Sequence, residues 1–123
     1  MGTSDAGLPG PSKFLMELLR VWQLSERDGM VLLGCNGTDQ RRLQEELALP
    51  TGRWPRDRKE RVAHLIEMRA TLDALLHDLD AENEWLREPR TELDSRSPLD
   101  LMRSGSMEEL IAAKYFVRAV AGR

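Results

Sequence analysis

Apolar residues recur along this chain at intervals of three and four, and no stretch alternates apolar and polar residues over a strand's length. Phe14, Leu15, Leu18, Leu19 and Trp22 share one stripe of a first helix that begins after Pro11-Ser12. Ser25 restarts the pattern, since its side chain can accept from the orphan amides of the next turn and acidic residues follow at the positive helix end. Met30, Leu32 and Leu33 supply the apolar contacts of this second helix, and Gly34 is placed to end it with positive φ. After the short turn Cys35-Asn36-Gly37, Thr38 is a good cap for a third helix, on which Leu43 and Leu47 lie four apart. Pro50, Gly52 and Pro55 break the pattern into a loop carrying Arg53, Trp54 and Arg56. From Asp57 to Leu79 there is no glycine or proline, and Val62, Leu65, Ile66, Leu72, Leu75, Leu76 and Leu79 form a long apolar stripe. This predicts a rod of about 35 Å, a spine against which both halves can pack.

The second half reads as shorter pieces. Asp80 is the expected cap of a helix containing Trp85 and Leu86, which Pro89 stops. Ser97-Pro98 opens a short helix from Leu99 to about Arg103, ahead of Gly105. Ser106 with Glu109 has the spacing of a capping box, and the helix it opens carries Leu110, Ile111, Tyr115, Phe116 and Val120. The pattern is all-α: an N-terminal bundle with a helix-turn-helix, a long central helix and a small helical C-terminal part. Residues 1–12 read as a flexible arm, 13–79 as the first domain with its long helix, and 80–123 as the second.

Composition narrows the function. With 41% hydrophobic and 32% charged residues in 123, the chain can bury a core under a solvated surface. The net charge of −3 exerts no global pull on nucleic acid, but its distribution is uneven. Residues 12–64 hold ten Lys/Arg against eight Asp/Glu, whereas residues 65–123 hold eight against twelve. That split suits a first half that meets phosphate and a second half that does not. The opening residues have neither the basic nor the apolar region of a signal peptide, and no apolar run is long enough to span a membrane. The cytoplasm is the default location, and a single cysteine, Cys35, fits it.

Catalytic chemistry finds no support. His64 and His77 do not share a helical face within ligand reach, and no Cys or His-Glu spacing makes a metal site. Asp78, Asp80, Glu82 and Glu84 lack the glycine-turned spacing of a calcium loop and read as a solvated face with a helix cap. There is no glycine-rich phosphate loop following a strand, so no catalytic residue, metal or cofactor is expected. The informative arrangement is the trio of short helices from 13 to 48, its second and third joined by a glycine-containing turn, as in a helix-turn-helix. In that motif the third helix enters the major groove led by its N-terminal residues, here Thr38, Gln40, Arg41, Arg42 and Gln44, with Arg53 and Arg56 on the following loop. Gln can read adenine and Arg guanine through paired bonds. Asp39, Glu45 and Glu46 nearby oppose tight phosphate binding, and a plain packing bundle gives the same pattern.

Over Phe14 to Ala121 the chain resembles the Xre/MbcA/ParS family of bacterial type II antitoxins. The first half carries the resemblance in Trp22-x-Leu24-Ser25, Leu32-Leu33-Gly34 and the long helix ending in Leu-x-x-Leu-Leu. The second carries it more specifically, in Trp85-Leu86-x-x-Pro89, then Ser97-Pro98-Leu99-Asp100-Leu101-Met102, then Gly105 and the closing helix. Arg90 stands where family members commonly have Asn, and residues Thr91 to Arg96 lack the usual glycines. The resemblance implies an Xre-like operator-binding unit and a C-terminal domain that covers the active-site entrance of a RES-domain toxin that consumes NAD. It also implies an oligomer within a toxin–antitoxin complex and autoregulation through operator DNA. Trp85, Pro98, Leu99 and Asp100 are then the expected toxin-binding motif residues. Tyr115, Arg118 and Arg123 join them as residues of the kinds favoured at interface centres, and Lys114 as the start of the terminal segment, on a closing helix expected to be free to enter a partner's cleft. A stand-alone helix-turn-helix transcription regulator is the rival reading, against which the C-terminal half counts.

Overall fold

The computed structural model describes residues 8–35 and 40–122, the side chains of 40–42 excepted. Every named element among the described residues is a helix and none is a strand, as the three-and-four periodicity predicts. They form two compact units that divide after Val62, inside the long helix and not at its end.

The first unit holds α1 (Gly10–Val21), α2 (Glu26–Leu32), α3 (Gln40–Ala48) and the opening turns of α4 (Arg56–Leu76). Leu15, Leu18, Leu19, Trp22, Met30, Leu32, Leu33, Leu43 and Leu47 are its buried apolar residues, joined by Trp54 from the loop. Ser25 caps α2 reciprocally: its hydroxyl accepts from the Asp28 amide at 3.1 Å, and the Asp28 carboxylate accepts from the Ser25 amide at 3.1 Å. A side chain at Gly29 would stand 2.9 Å from Leu19 and 3.2 Å from Leu43, so α2 passes close to both α1 and α3 because this position has no Cβ. Gly34 follows α2 at φ +77, and a Cβ there would meet Arg61 Nε at 2.6 Å. The buried Ser12 hydroxyl donates to the Leu47 carbonyl at 2.7 Å, satisfying a carbonyl near the C-terminal end of α3. The expected Thr38 cap lies outside the described residues.

The second unit comprises the rest of α4, then α5 (Leu79–Arg87), α6 (Pro98–Arg103) and α7 (Met107–Ala121). Its core is Leu65, Met68, Leu72, Leu86, Leu99, Leu101, Met102, Leu110, Ala113 and Val117. Three expectations are corrected here. The long helix stops at Leu76, because His77 turns left-handed at φ 57 and the extended Asp78, not Asp80, caps α5 by accepting from the Ala81 amide at 3.0 Å. The buried line on α4 within this unit runs through Leu65, Met68 and Leu72, while Ile66, Leu75 and Leu79 face outward at 44%, 37% and 40% exposure. Ser106 makes only half of a capping box: its hydroxyl accepts from the Glu109 amide at 3.3 Å, but its own amide donates to the Ser104 hydroxyl. Glu109 turns away to pair with Arg96 at 2.5 Å. Ser97 and Asp100, by contrast, cap α6 reciprocally at 2.9 and 3.0 Å, with Pro98 at the helix start. None of the described helices is long and apolar enough to cross a membrane.

Candidate functional site

Within the second unit α7 carries two clusters on opposite sides of Val117. The first begins at Tyr115, 56% exposed. Cations flank its ring: Lys114 Nζ lies 5.3 Å and the Arg118 guanidinium 5.6 Å from the ring centre. Both cations are anchored on α4. Lys114 is buried, and its ammonium, which can only donate, lies 3.0 Å from His64 Nδ1, so that nitrogen accepts. Glu67 binds Arg118 through one carboxylate oxygen and lies 3.6 Å from Lys114 through the other. The Arg118 hydrogen bond, followed by the attraction of both cations, holds Glu67 below the usual carboxylate range. Tyr115 and Arg118 therefore project from a helix whose inner face is ion-paired to its neighbour.

The second cluster is aromatic. Trp85 of α5 stacks on Phe116 of α7 with ring centres 5.7 Å apart and planes inclined by 27°. The Arg90 guanidinium lies 4.8 Å from the Trp85 ring centre and 6.0 Å from that of Phe116, and it donates to the Trp85 carbonyl at 3.1 Å. The loop after Arg90 folds back on itself through a single bridge between Arg90 and Arg96. At its tip Asp94 and Ser95 are both left-handed, closed by the Arg96 amide donating to the Leu93 carbonyl at 3.1 Å. This left-handed turn is made with two non-glycine residues. Across the unit's interior, Glu82 is 1% exposed and pairs with Arg69 at 3.2 Å, a buried carboxylate that needs this partner.

Of the residues expected to meet a partner, Tyr115, Arg118 and Asp100 are exposed and Trp85 is half-buried. Pro98 and Leu99 lie in the interior, where they set the position of α6 without offering surface. Asp100 spends its carboxylate on the Ser97 amide, which holds its pKa down, so its first role is to fix the start of α6. Arg123 lies outside the described residues. The closing helix is not a free rod: Leu110, Ala113, Lys114 and Val117 are buried along it, so only its outer face can be offered to a partner. Glu67, His64 and Arg90 were not expected to contribute. No local periodicity announces a partnership between residues some fifty positions apart, such as Glu67 with Arg118. Arg90 was visible only as a departure from a motif.

In the first unit Gln44 is half-buried on α3, while Arg53, in a 3-10 turn (Thr51–Arg53), and Arg56, at the start of α4, are exposed. Arg56 pairs with Glu60 at 3.0 Å. Thr38 and the side chains of Gln40, Arg41 and Arg42 lie outside the described residues. Arg58, next on α4, is buried: it donates to Glu46 at 3.0 Å and to the Cys35 sulfur at 3.3 Å, with its guanidinium 5.5 Å from the Trp54 ring centre. This cation holds the bundle together and is not surface. Among the described residues no group of His, Cys, Asp and Glu could hold a metal ion.

Residues 71–112 match the pattern of the antitoxin Xre/MbcA/ParS C-terminal toxin-binding domain. Over that stretch the chain is similar to the toxin-binding domain of these antitoxins. The matched stretch of this domain runs from the last turns of α4 to the first turns of α7, taking in Trp85, Arg90 and the whole of α6. Tyr115 and Arg118 follow it on the same helix. Over 120 residues the chain is also 25% identical to a protein of Sinorhizobium fredii (strain NBRC 101917 / NGR234) named "Uncharacterized protein y4oB", spanning 98% of this chain and 91% of that protein.

Proposed function

We propose that this protein is the antitoxin of a two-gene pair, that its partner is a RES-domain toxin consuming NAD, and that it acts by covering the toxin's active-site entrance. What carries the reading is the match of residues 71–112 to a toxin-binding antitoxin domain. What supports the location of the contact is the ridge of Tyr115 and Arg118, immediately beyond the matched stretch and braced by Glu67. An exposed tyrosine between two cations combines the residue types that dominate interface energetics. In this reading the antitoxin is itself no enzyme, works in the cytoplasm and forms a homo-oligomer within the complex. Its first unit binds operator DNA through the start of α3 together with Arg53 and Arg56, two exposed cations that suit phosphate contacts.

The test is NAD consumption by the protein encoded beside this gene, with and without the antitoxin. The full chain should copurify with that protein and abolish its NAD consumption, and the double variant Tyr115→Ala/Arg118→Glu should weaken binding at least tenfold while keeping its helical content. A neighbouring protein that neither binds the chain nor loses activity in its presence refutes the assignment.

A further inference from the structure

The ridge on α7 does not account for all the exposed apolar surface of the second unit. Besides Tyr115 on that ridge, Ile66, Leu75 and Leu79 are large apolar side chains left more than a third exposed. Two of its helices run side by side in the same sense: Lys114 meets His64, and one turn further along both, Arg118 meets Glu67. About one turn beyond that ion pair lies a shallow groove of about 430 Å³, lined by Ala70, Thr71, Ala74 and Leu75 from α4 and by Ala121 from α7. Alanines form most of this lining, which leaves room that no side chain among the described residues fills. One turn before the groove, Arg118 carries a half-exposed guanidinium paired with Glu67.

We propose that this groove receives an apolar side chain of the toxin, and that an acidic residue next to it in the toxin reaches Arg118. The inference rests on the antitoxin reading and specifies the partner's chemistry: an apolar anchor beside a carboxylate. Arg118 is half-exposed although already paired with Glu67, so a guanidinium edge remains for a second carboxylate. A second copy of this chain is a poor occupant. A two-fold contact centred beside Arg118 sets that guanidinium against its own counterpart, and like charges brought together across an interface are unfavourable. Thr71 and Leu75 fall inside the matched toxin-binding stretch, whereas Ala70 and Glu67 precede it, so the working surface extends further up α4 than the family pattern does.

The experiment uses the full chain coexpressed with the protein encoded beside its gene. Ala74→Arg fills the groove at an exposed helical position that arginine tolerates. It should lower affinity for that protein at least tenfold with unchanged circular dichroism. A photo-crosslinking residue in place of Leu75 should attach to the same protein. Wild-type affinity in Ala74→Arg, or crosslinks only to a second copy of this chain, overturns the groove assignment while the antitoxin reading stands. If the unmodified chain fails to retain the neighbouring protein, both fall.

Discussion

Single carboxylates in the second unit do measurable work. Asp100 is held below its ordinary value chiefly by the Ser97 amide, and Glu109 below its own by the Ser104 hydroxyl and then Arg96. A carboxyl whose pKa is lowered by folding adds stability that is complete above its unfolded value and lost as pH falls through the folded one. With ordinary values of 3.8 and 4.5 for Asp and Glu, the melting temperature should be insensitive to these groups near neutral pH. It should fall once the medium is more acidic than about pH 4. Asp100→Asn should melt lower than wild type at pH 7, with the gap narrowing by pH 3; thermal circular dichroism at both pH values checks this, and a constant gap contradicts it. The Ser97–Asp100 cap was legible from the order Ser-Pro-x-Asp. The Glu109–Arg96 pair was not, because Ser106 and Glu109 have the spacing of a reciprocal cap and only the position of Arg96 in space diverts the carboxylate.

Helix α7 shows at the scale of an element what periodicity can and cannot tell. Its existence and its opening serine were readable, and its burial was not. Tyr115 was as good a core candidate as Phe116, yet it faces outward, while Lys114, a poor core candidate, is buried with its ammonium spent on His64 and Glu67. The same holds for α4, where Ile66 and Leu75 fit an apolar stripe that the actual packing, through Met68, leaves outside. Short amphipathic segments fix a helix but leave the width of its buried face open, and contacts distant in sequence decide it. The burial of α7 also predicts how it responds to shortening. Removing residues 114–123 takes Val117 out of the core, a loss of about 1.5–3 kcal/mol on its own, together with the Lys114 and Arg118 anchors. That fragment should lose the helical signal of the second unit. A cut after Ala119 removes none of the described buried residues and should keep the signal at full strength; circular dichroism of the two proteins distinguishes these outcomes.

For the whole molecule, the all-α class and the order of helices were evident from spacing, but the place of division was not. An uninterrupted helix gives no sequence mark where one compact unit ends and the next begins, and here that point is Val62. If the first unit binds the operator and the second the toxin, damage to one activity should spare the other. Replacing Arg41, Arg53 and Arg56 with Ala should weaken a gel shift of the DNA upstream of the gene. The slope of log affinity against log salt should become shallower by about 1 for each phosphate the protein no longer neutralises. Inhibition of the toxin should be unchanged. A gel shift as strong as wild type removes these arginines from the DNA surface. The three tryptophans divide between the units, Trp22 and Trp54 in the first and Trp85 in the second. Trp22 and Trp54 are sealed from solvent, whereas Trp85 lies half-open against Phe116 with the Arg90 guanidinium over its face. Indole emission follows the polarity and charge around the ring, so the protein contains its own optical reporter: once Trp22 and Trp54 are replaced by phenylalanine, any movement of Arg90 is read directly as a change in fluorescence, without an attached dye.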